Sequence, residues 1–63
     1  NSKYYDDFKV TIDLAERKLK NVENDQKNNI ESLLIKLKEE LINENLENLN
    51  KIDDKLTDIL FSI

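Results

Sequence analysis

Three carboxylates, Asp53, Asp54 and Asp58, crowd a short stretch near the end of the chain, and Asp6–Asp7 and Glu39–Glu40 form two further acidic pairs. Carboxylates at that density bring hard cations to mind. Asp54 and Asp58, four residues apart, share one face of a helix and offer a divalent ion at most a weak contact. A dedicated calcium site needs several oxygen ligands and a turn that makes them converge. Neither pattern is present, so these residues read as solvated helix faces and no metal is expected.

Nucleophilic chemistry is poorly provided for. The aliphatic hydroxyls are Ser2, Ser32, Ser62, Thr11 and Thr57, and the chain has no histidine to activate them. Ser2 is expected to cap a helix and Ser32 to lie in the first turn of another. With neither cysteine nor histidine there is no zinc site, and without glycine there is no phosphate-cradling loop. Tyr4 and Tyr5 have faces on which bases could stack, yet Tyr5 continues an apolar stripe and Tyr4 is placed to cover its edge. No catalytic residue, cofactor site or enzyme activity is expected.

Charge narrows the partners further. Residues 1–27 carry six basic and six acidic side chains, whereas residues 28–63 carry four and eight, so the formal charge of −4 belongs to the second half. A nucleic-acid backbone is bound by clustered positive charge. The nearest approach to a cluster is Glu16–Lys20, which reads as an exposed helix face, so no nucleic-acid partner is expected. No apolar run approaches the roughly 20 residues that cross a bilayer, and no signal-peptide pattern opens the chain. Membrane insertion is therefore not expected. Asn1 in the place of an initiating methionine suggests a segment of a larger protein.

The elements that carry these residues follow from periodicity. A chain of 63 residues with no glycine and no proline lacks the usual residues for tight turns, which favours helices with few connections. Tyr5, Phe8, Ile12, Ala15, Leu19 and Val22 follow one another at intervals of three and four, forming one helical stripe. Val10 and Leu14 lie beside it. Asp13 with Arg17, and Glu16 with Lys20, have the spacing of surface ion pairs. Farther on, Ile35, Ile42, Leu49, Leu56 and Ile63 recur every seven residues. Leu34, Leu37, Leu41, Leu46, Ile52, Ile59 and Leu60 flank them, giving a face wide enough for two neighbouring helices.

Between the two patterns lies the polar stretch Glu23–Asn29. An unbroken helix would place Gln26 and Asn29 in successive interior layers, an unfavourable arrangement. The spacing of Asn28 and Glu31 resembles a capping box opening a new helix. The preferred reading is all-α: a helix over 3–24, a polar turn over 25–28 and a helix over 29–61, the hairpin assembling into an antiparallel bundle. The alternative is one long coiled-coil helix of about 85–90 Å.

A chain this short buries a limited core by itself, and neither disulfide nor metal is available to reinforce it. A homo-oligomer or a helical protein partner is therefore expected. The residues expected to carry the contacts are Tyr5, Phe8, Ile12, Leu19 and Val22 on the first helix. On the second they are Ile35, Ile42, Leu49, Ile52, Leu56, Ile59 and Ile63. The function this implies is non-catalytic oligomerisation or scaffolding within a larger protein. The alternative is a helical module donating its wide apolar face to a different protein.

Overall fold

The computed structural model describes residues 3–63; Ser2, expected to cap a helix, lies outside them. Three helices follow one another: α1 is Tyr5–Lys18, α2 is Asn24–Asn43 and α3 is Leu46–Leu60. The backbone amide of Lys3, just before α1, donates to the Glu44 carboxylate just before α3 at 3.0 Å. At the far end the Lys18 ammonium donates to the Leu60 carbonyl at 2.9 Å. Thus α1 and α3 start together and end together, and α2, joining the end of one to the start of the other, runs back between them. The product is a compact three-helix antiparallel bundle. Its longest dimension of 31 Å excludes the continuous helix.

The all-α antiparallel reading holds, but the two-helix boundaries need correction. Residues 25–28, expected to turn, are helical and exposed within α2. The first connection lies earlier. Leu19, Lys20 and Asn21 tighten the end of α1, with the Lys20 and Asn21 amides donating to the carbonyls of Arg17 and Lys18 at 3.3 and 3.0 Å. Glu23 is extended, and Asn24 turns left-handed at φ 55°, a conformation that asparagine tolerates better than most residues. Asn28 and Glu31 therefore cap nothing, and Ser32 lies well inside α2 rather than in its first turn. Gln26 and Asn29 face solvent because α2 takes its rotation from another stripe: Ile30, Leu34, Leu37 and Leu41 are its buried residues.

A second break divides the expected long helix at Glu44 and Asn45. The Asn45 amide donates to the Glu40 carbonyl at 3.2 Å and the Glu44 amide to the Leu41 carbonyl at 3.3 Å, the paired bonds of a Schellman ending. Glu44 occupies the left-handed position, at φ 55°, where glycine would be unstrained. Asn45 then starts α3, its side-chain oxygen accepting from the Asn48 amide at 3.1 Å. Replacing Asn45 by alanine should lower stability by about 1 kcal/mol. Glu44→Gly should raise it by up to about 1 kcal/mol by relieving the left-handed strain, less the lost contact to Lys3. Urea unfolding of the two variants checks both signs.

The core is contributed by all three helices. Phe8, Ile12 and Ala15 come from α1, the four residues already named from α2, and Leu49, Leu56 and Leu60 from α3; all ten are buried. Tyr4, Tyr5, Leu14, Leu19, Val22, Leu33, Ile52 and Ile59 close the edges, half-buried. Among the described residues no polar or charged residue is fully buried, although one Asp53 carboxylate oxygen is enclosed without a hydrogen-bond partner.

The ends of α1 match its dipole. Asp6 and Asp7 open α1, and Arg17 and Lys18 close it. The last turn of α3 has no basic residue of its own, and Lys18 supplies the charge from α1, reaching the Leu60 carbonyl and, at 3.2 Å, that of Ile63.

Candidate functional site

The outer face of α2 is the feature the core leaves over. In an α-helix each residue is rotated about 100° from the one before, so the residues after Leu34 and Leu41 must leave the core. Those residues are Ile35 and Ile42, which are 60% and 82% exposed. Seven positions apart, they line up along the helix with Asn28 one further heptad before them. Lys38 and Glu39 lie between the two isoleucines, one on each flank. The Lys38 ammonium meets the Glu16 carboxylate of α1 at 3.3 Å, both side chains about half exposed.

This placement divides the expected contact residues into two groups. Phe8, Ile12, Leu49 and Leu56 are buried in the chain's own core, and Tyr5, Leu19, Val22, Ile52 and Ile59 pack at its edge. Ile35, Ile42 and Ile63 stand exposed. The seven-residue line through Ile35, Ile42, Leu49, Leu56 and Ile63 is therefore not one surface: the break at Glu44 and Asn45 turns its first two members outward and the next two inward. Ile30, fully buried, was the core residue the heptad reading passed over. Its signal was the spacing Ile30, Leu34, Leu37, Leu41. Of the remaining exposed apolar side chains, Val10 is on α1, Leu46 opens α3 and Phe61 follows it, so none belongs to the α2 ridge.

The polar residues are arranged as surface groups. Among the described residues the ion pairs are Lys38–Glu16 and Lys51–Glu47, so Glu16 pairs across to α2 rather than along α1 with Lys20, and Asp13 and Arg17 form no ion pair. Asp54 and Asp58 are exposed. No group of three potential metal ligands comes together among the described residues. The Ser62 hydroxyl donates to the Asp58 carbonyl at 2.7 Å, a local helix-end bond. An open groove of about 480 Å³ between α2 and α3 has Leu33 and Ile59 among its lining, with Lys36, Lys55 and Asp58 also contributing. Among the described residues no helix is long and apolar enough to cross a membrane.

Comparison with protein-family models, with curated proteins and with solved structures gives no match.

Proposed function

We propose that this domain is a non-catalytic oligomerisation or scaffolding element of a larger protein, acting through helix–helix packing. What supports the reading is the outer face of α2: the core is closed within one chain, yet two large β-branched side chains remain aligned in solvent on its longest helix. Single exposed apolar residues are ordinary on protein surfaces. An aligned pair beside charged flanks has the form of a short helix-packing seam. The wide face read from the sequence is largely taken up by the internal core, so the contact to another protein is narrow and its binding energy modest.

The test is site-specific photo-crosslinking in cells that produce the protein. A photoreactive residue at Glu39, on the α2 face, should give discrete protein adducts. The same residue at Asp54, on the exposed side of α3, should give none. Absence of adducts from Glu39, or equal labelling from both positions, contradicts the proposal.

A further inference from the structure

We infer that the α2 face binds a second copy of this chain, the two α2 helices lying parallel about a two-fold axis. The inference rests on the helix-packing reading above and names its partner. In a parallel pair Ile35 meets Ile35 and Ile42 meets Ile42. Asn28, one heptad earlier, meets its counterpart at the open end of the seam. In parallel coiled coils a lone asparagine layer of this kind fixes register.

Charge agrees with the same orientation. Lys38 and Glu39 flank the isoleucine line on opposite sides. A two-fold axis along the helices brings the Lys38 flank of one copy against the Glu39 flank of the other, twice. An antiparallel pair pivoting between these residues sets Lys38 against Lys38 and Glu39 against Glu39. An antiparallel register that sets Lys38 against the exposed Glu31 of the other copy leaves Ile42 opposite Lys27, so only the parallel pair joins both isoleucine layers with opposite charges, as an isologous interface requires. Lys38 stays at the rim, where Glu16 already holds it at 3.3 Å. The Asn28–Ile42 seam uses far fewer residues than the roughly 20 to 30 per partner of a standard interface, so the dimer is weak and concentration-dependent.

Sedimentation equilibrium of the 63-residue chain between about 10 μM and 1 mM is the test. The expected result is a rise from the chain mass toward twice that value. Ile42→Lys should weaken the association at least about tenfold, a loss of about 1.4 kcal/mol. Its helical circular dichroism and melting should be unchanged, because Ile42 is 82% exposed and a cation suits the end of α2. One spin label per chain at Lys27 then reads the orientation: the labels approach across the interface in a parallel dimer and stand about 35 Å apart in the antiparallel one. A chain that stays monomeric to 1 mM overturns the inference, as does a dimer indifferent to Ile42→Lys or with distant Lys27 labels. None of these results removes crosslinking from Glu39 to a different protein, which is judged separately.

Discussion

Leu49→Ala should lower the unfolding free energy by about 2–5 kcal/mol, whereas Asn50→Ala, at the next residue, should change it by no more than about 0.5. Leu49 is fully buried in the first turns of α3, and Asn50 is exposed. Truncation removes the apolar contacts of a leucine and leaves a cavity in the shared core. For a domain this small a loss of that size is a large fraction of the whole stability. Paired urea melts give the comparison directly. Equal losses for the two variants would mean that α3 is rotated from the orientation described.

Ala15→Leu is the second large effect, in the opposite sense of size. Ala15 is fully enclosed on α1 among larger neighbours, and its methyl group fills the space available there. A leucine adds an isopropyl group that this space does not hold. The added volume must push α1 off the α2–α3 pair or force unfavourable side-chain rotamers, at about 1–3 kcal/mol. Val10→Ala, on the solvent side of the same helix, should stay within about 0.5 kcal/mol. If Ala15→Leu stabilised the domain, the close approach of α1 would be wrong, because alanine and leucine are both good helix formers and propensity alone separates them little.

The first helix was legible because one stripe dominates it: Phe8, Ile12 and Ala15 are buried as their spacing requires, and Leu19 and Val22 remain against the core after the helix has ended. The second break was hidden by a coincidence of period. Leu49 and Leu56 continue the seven-residue interval of Ile35 and Ile42 across a turn, although the two pairs face opposite environments. The competing stripe carried the information. Continued by three and four, Ile30, Leu34, Leu37 and Leu41 lead to Glu44, Asn48, Lys51 and Lys55, all polar, so a helix following that stripe cannot run on. What concealed the turn was its chemistry. A left-handed helix ending is usually marked by glycine, and here Glu44 takes the position with Asn45 capping the next helix. The polar stretch at 25–28 misled for the complementary reason: asparagines weaken a helix by only tenths of a kcal/mol each, and burial of Ile30 and Leu34 a turn later offsets that.

The α2 face was half legible. Ile35 and Ile42 were both expected to make contacts, but which side of the helix they occupy depends on the break at Glu44 and Asn45 and on the rotation Ile30 sets. Neither follows from the heptad interval alone. The distinction matters for function, since a residue in the chain's own core is unavailable to a partner.

The chain folds back twice within itself, and one distance tests this directly. Spin labels at Lys20 and Ser62, in chains diluted with unlabelled protein to exclude pairs between molecules, report whether the ends of α1 and α3 lie together. Contacts of Lys18 with Leu60 and Ile63 require a short separation, the roughly 10 Å spacing of packed helices plus the label tethers. A two-helix hairpin turning at 25–28 would set the labels about 44 Å apart, and an unbroken helix about 63 Å. The short distance is expected; either of the longer ones contradicts the three-helix fold.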